Sequence, residues 1–125
     1  MKKLLLIATM LLTYGALNAQ IAEVKQEGSY ARIYNDQGSY TGNSIGLGSG
    51  ALVSGYNTKY IVVTEGSYAR IYDSKGSYTG NSISLGSGSG NYVKNVSANA
   101  ILIKEGSYTR YYDFKGSYTG NSTSD

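Results

Sequence analysis

Cysteine, histidine, tryptophan and proline are all absent from the 125 residues. Without cysteine there is no disulfide framework. Without histidine or cysteine the usual zinc and transition-metal sites cannot be built. The serine–histidine–aspartate and cysteine–histidine nucleophile arrangements are excluded with them. Carboxylate pairs, lysine, tyrosine and serine–lysine arrangements are what remains for catalysis. Strong helix formers are scarce, and no segment carries helical periodicity.

Long apolar runs are missing too. The run Leu4 to Leu12 follows Lys2 and Lys3 and is too short for a membrane span. Small and polar residues follow it, up to Ala19. This pattern reads as a bacterial-style secretory signal, cut after Ala19; the competing reading is a buried N-terminal strand. The expected organisation is a signal peptide over 1–19 and one β-repeat domain over 20–125, secreted, periplasmic or at the cell surface. Without Lys2 and Lys3 the chain keeps nine basic and eight acidic side chains, a net of +1. So even a balance gives no electrostatic case for nucleic acid or an anionic membrane as partner.

What is present is repetition. An eighteen-residue block reads EGSYARIYNDQGSYTGNS from Glu27, EGSYARIYDSKGSYTGNS from Glu65 and EGSYTRYYDFKGSYTGNS from Glu105. Thirteen of its eighteen positions are identical in all three copies, at offsets of 38 and 40 residues. Such a period marks a repeat architecture.

Before the second and third blocks stand short β-branched stretches, Tyr60 to Thr64 and Ala100 to Lys104, which read as strands. Glu-Gly then turns the chain, with glycine free to take positive φ. The next strand, Ser67 to Tyr72, alternates so that Tyr68, Arg70 and Tyr72 share one face and Ala69 and Ile71 the other. Asp73 to Gly76 carries the signal of a type I turn. A third strand begins at Ser77, with a bulge or bend expected at Gly80 and Asn81. The Gly/Ser connectors 46–50 and 86–90 read as loops leading to the first strand of the next unit.

The fold class expected is therefore all-β: three tandem repeats of short antiparallel strands, about 20–50, 51–90 and 91–125. Four strands in about 40 residues is the size of a propeller blade. Gly66 to Asp73 resembles the strand before the Trp-Asp pair of WD40 repeats, with Tyr72-Asp73 in its place. Tyr112-Asp113 and Tyr34-Asn35 stand at the equivalent positions, while the Gly-His pair of that family is missing. The resemblance implies a blade-like sheet, as a partial propeller or an open β-repeat stack, and a binding role.

The end repeats differ. Glu23 and Lys25 stand where later repeats have Ile61 and Val63, or Ile101 and Ile103. Thr123 and Asp125 replace Ile45 and Leu47, or Ile83 and Leu85. Polar residues on terminal faces cap a stack; drift in a shortened member of a longer array is the alternative.

The candidate ligand-binding residues are the Tyr-x-Arg-x-Tyr faces Tyr30, Arg32, Tyr34; Tyr68, Arg70, Tyr72; and Tyr108, Arg110, Tyr112. Tyrosine offers an apolar ring with a polar tip, and arginine stacks on rings or holds planar acids. Cross-strand packing within the sheet is the competing explanation. Glu27, Glu65, Glu105, Asp73 and Asp113 recur singly beside glycines, a turn pattern and not a calcium cluster. No metal, cofactor or catalytic residue is expected. The function expected is a secreted, non-enzymatic module that binds a polysaccharide or a protein. The alternative is a self-assembling surface or fibre component.

Overall fold

The computed structural model describes residues 20–125; the expected signal peptide lies outside the described residues. The described chain is all-β, with eleven strands in three antiparallel sheets. The first sheet holds β1 (Glu23–Glu27), β2 (Tyr30–Tyr34) and β3 (Tyr40–Gly46). The second holds β4 (Leu52–Tyr56), β5 (Tyr60–Glu65), β6 (Tyr68–Asp73) and β7 (Tyr78–Ser84). The third holds β8 (Tyr92–Val96), β9 (Ile101–Glu105), β10 (Tyr108–Tyr112) and β11 (Tyr118–Ser124). Strands are neighbours in chain order throughout, so each sheet is an open meander.

Local chemistry sets each hairpin. Glu65 pairs with Tyr68 across Gly66 and Ser67, and Gly66 alone has positive φ, at 63°. Glycine first in a two-residue loop is the type II′ arrangement, whose twist matches the strands. The second hairpin turns on Asp73. Its backbone carbonyl accepts from Gly76 N–H at 3.1 Å, and its Oδ1 accepts from Lys75 and Ser77 N–H at 2.9 and 3.0 Å. The bulge falls at Thr79 and Gly80, between the pairs Ile71↔Asn81 and Tyr72↔Tyr78. There the Thr79 hydroxyl donates to the Ile71 carbonyl at 2.7 Å.

The three sheets stack face to face through two cores. Ala31, Ile33, Ile45 and Leu47 of the first sheet meet Ile61, Val63 and Tyr72 of the second. On its other face the second sheet presents Val62, Ala69, Ile71 and Ile83 to Ile101, Ile103 and Val96 of the third. Ile61, Val62 and Val63 are completely buried, because β5 is covered on both sides. That is why its sequence is a continuous apolar run and not an alternation. The sheets also touch at turns and edges. A Cβ on Gly76 would lie 2.7 Å from the Ser44 carbonyl oxygen, one on Gly116 2.6 Å from that of Ser82, and one on Gly55 2.6 Å from Val96 Cγ2. The Tyr60 ring stacks on Phe114 at 4.7 Å.

Both ends of the stack are polar. Glu23 and Lys25 are exposed, as are Thr123 and Asp125. The last face carries two further changes that the sequence reading did not single out: Thr109 and Tyr111 take the places of Ala69 and Ile71. Thr109 is buried, and its hydroxyl accepts from Lys94 Nζ at 3.2 Å and donates to the Asp125 carboxylate at 3.1 Å. Lys104 also binds that carboxylate. Hydrogen bonding from Lys104 and Thr109, with the charges of Lys104 and Lys94, holds the Asp125 carboxyl below its ordinary value of 3.8.

Candidate functional site

The same constellation is built three times, and the second repeat shows it best. Across β5 and β6, Glu65 faces Tyr68 beside the turn. Arg70 Nε lies 3.4 Å from the Glu65 carboxylate, and the Tyr72 hydroxyl donates to it at 3.0 Å. Across β6 and β7, Arg70 faces Ser82, Tyr68 faces Ser84, and Tyr72 faces Tyr78. The Arg70 guanidinium sits 5.5 Å from the Tyr78 ring centroid, and the Tyr72 and Tyr78 rings are tilted at 5.5 Å. Glu27 and Glu105 pair with Arg32 and Arg110 at 3.4 and 3.3 Å. Tyr34 and Tyr112 donate to those glutamates at 3.2 and 2.9 Å. Arg32 and Arg110 cover Tyr40 and Tyr118.

The nine residues expected at the site thus divide. Tyr34, Tyr72 and Tyr112 serve the sheet itself, pinned between a glutamate and a neighbouring ring. Tyr72 is 8% exposed. Burial, reinforced by the hydrogen bond to Glu65, pushes its hydroxyl up to about 12. The same causes raise Tyr34 and Tyr112. Tyr30, Tyr68 and Tyr108 are 46–49% exposed. Among the described residues their hydroxyls have no hydrogen-bond partner and their rings no aromatic neighbour. The arginines keep one flank in solvent, with side chains 44–46% exposed.

Tyr40, Tyr78 and Tyr118 belong to the surface as well, at 43–44% exposure, and the triplet pattern passed over them. The signal was the second Gly-Ser-Tyr of each block. A type I turn with a closing glycine returns that tyrosine to the third residue of the triplet. The serines at the strand partners of the arginines, Ser44, Ser82 and Ser122, add hydroxyls to the same face.

Position in the stack hardly alters this surface. The first repeat has no sheet over its tyrosine face among the described residues, while the second and third do. Yet the exposures of the first and last tyrosines and of the arginine stay within a few percent. The preceding sheet covers Tyr72 and leaves Tyr68, Arg70 and Tyr78 open. Tyr72 lies on the inner strand β6 and joins the core beside the contact of Gly76 with Ser44, whereas its partner Tyr78 lies on the edge strand β7.

Two related clefts lie at the Glu-Gly turns, one beside Gly28 and one beside Gly66. One, of about 390 Å³, is lined by residues that include Gln26, Ser29, Leu47 and Leu52. The other, of about 430 Å³, is lined by residues that include Thr64, Ser67, Leu85 and Asn91. At the corresponding place in the third repeat stand Lys104 and Asp125, bound to each other. The recurring acids are occupied locally, aspartates in turns and glutamates on arginine. Among the described residues no three acidic side chains come together as metal ligands, and no helix is long and apolar enough to cross a membrane. Comparison with protein-family models, curated proteins and solved structures finds no match to the chain.

Proposed function

We propose that the chain is an exported, non-enzymatic β-repeat module that binds a polysaccharide or a protein through its tyrosine- and arginine-bearing sheet faces. The observation that carries this reading is the threefold surface of Tyr68, Arg70, Tyr78 and their equivalents. These side chains stay near half exposure in every repeat, although burying them would gain apolar area. Among the described residues Tyr68 and its equivalents make no aromatic contact within the sheet, and the Tyr72–Tyr78 contact contributes only about 0.2–1 kcal/mol. Export rests on the basic start, the short apolar run and Ala19, and makes the compartment extracytoplasmic.

The open outer edges of β3, β7 and β11 would favour a self-assembling component instead. Each of those strands, however, is bulged at a positive-φ glycine, Gly42, Gly80 or Gly120, a device that blunts edge pairing. End-to-end stacking would bury Glu23 and Lys25 against Thr123 and Asp125. Sizing the mature protein over a range of concentrations, followed by glycan-array binding, tests the proposal. A monodisperse species that binds polysaccharide or protein is expected; growth with concentration and no ligand would refute it. Mass spectrometry of the exported product should find its N-terminus at or near Gln20.

A further inference from the structure

The three surfaces are the same surface. A ligand using all of them must present the same groups at regular intervals, as a polymer of one repeating unit does. The sheets that carry them are stacked through two cores, with a spacing of about 10 Å where such faces pack, and the sites recur at equivalent positions on successive sheets.

The local charge decides the kind of polymer. Each arginine is neutralised by a glutamate within 3.3–3.4 Å. In the second block Glu65, Arg70, Asp73 and Lys75 sum to zero, and in the third Glu105, Arg110, Asp113 and Lys115 do the same. In the first block Glu27, Arg32 and Asp36 leave one negative charge. A polyanion therefore finds no positive excess across the sites. What each site offers is a free tyrosine ring, a guanidinium with one flank open, a second tyrosine and serine hydroxyls. Flat rings match the apolar C–H faces of pyranoses, and the donors match their hydroxyls.

We propose that the three repeats form one extended binding row for an uncharged polysaccharide, each repeat supplying an equivalent subsite centred on Tyr30, Tyr68 or Tyr108. The inference rests on the binding-module reading and narrows it to a ligand class. The arginine orients sugar hydroxyls without recruiting charge, because its own charge is already met. Short oligosaccharides fill one subsite and bind weakly. Long chains engage all three and gain by effective concentration.

Affinity electrophoresis and calorimetry of the mature protein provide the test, with hydroxyethylcellulose and galactomannan as neutral probes and polygalacturonate as the anionic one. At least one neutral polymer should be bound, with an affinity that rises with chain length and is unchanged between low and high salt. Tyr68→Ala removes an exposed ring without a hydrogen-bond partner and leaves circular dichroism and melting essentially unchanged. It should weaken binding of the long polymer about tenfold or more, as should Tyr30→Ala and Tyr108→Ala, and the triple variant should not bind. Salt-sensitive binding of polygalacturonate alone would overturn the neutral-ligand inference and leave the module reading standing. So would complete loss of binding from one alanine with no effect of the other two. Binding to no polysaccharide would overturn the inference; the module reading itself would fall only if no protein were bound either.

Discussion

Replacing Gly76 with alanine adds one methyl group at a place where two separate constraints meet. Its φ of 81° lies in the left-handed region, which costs a side-chain-bearing residue roughly 1–2 kcal/mol. Its Cβ would also stand 2.7 Å from the Ser44 carbonyl oxygen of the preceding sheet. That neighbour is backbone and cannot rotate away. Relieving the clash means moving one sheet against the other, an overpacking penalty of about 1–3 kcal/mol. Gly38 occupies the same turn in the first repeat with φ 77°, and nothing lies within 4 Å of its Cβ position. Gly38→Ala therefore isolates the backbone term, and the difference between the two variants measures the contact between sheets. Expected losses are about 1–2 kcal/mol for Gly38→Ala and about 2–5 kcal/mol for Gly76→Ala. In melting temperature that corresponds to roughly 4–8 °C per kcal/mol for a domain of this size. Gly116→Ala, facing the Ser82 carbonyl oxygen at 2.6 Å, should resemble Gly76→Ala. Urea denaturation, with slopes compared to confirm a common transition, is the assay. Equal losses for Gly38→Ala and Gly76→Ala would refute the argument that these turns hold the sheets in register.

Gly55→Ala should destabilise through Val96, whose Cγ2 lies 2.6 Å from the new Cβ. Adding Val96→Ala should recover part of the loss, so a double-mutant cycle that came out additive would contradict the close approach of β4 and β8. Tyr72 titrates near 12 in the fold against an ordinary 10.0, so its contribution is complete below about pH 10 and is lost as pH rises toward 12. Denaturation curves taken across that window should show stability falling, and Tyr72→Phe should reduce the fall; an identical alkaline profile would count against the buried Tyr72–Glu65 pair. Glu23→Ile with Lys25→Ile should fold and form larger species in light scattering, because it gives the first sheet the apolar face that β5 uses for stacking. A double variant that stays monomeric would show that polarity at this end is not what limits the stack.

The sequence by itself determined what is local. Strand positions, the turn at Asp73, the positive φ of Gly76 and the bulge at Gly80 all follow from residues within a few positions of one another, so three copies of one block repeat them faithfully. The polar ends were legible too, because aligned repeats show Glu23 and Lys25 where Ile61 and Val63 stand. The tertiary structure decided what depends on a residue's place in the stack. Tyr34 and Tyr72 sit in the same local sequence, yet only Tyr72 lies under a neighbouring sheet, so only it is nearly closed to solvent. The blocks could not show that the preceding sheet stops short of Tyr68 and Arg70, nor that Thr109 would be buried beneath Lys94 and Asp125. Nor did the triplet pattern reveal that Tyr78 shares the surface, since it reaches Arg70 only across a hairpin. Burial belongs to pairs of sheets and not to any one of them, and near-identical repeats acquire different environments from what is packed against them.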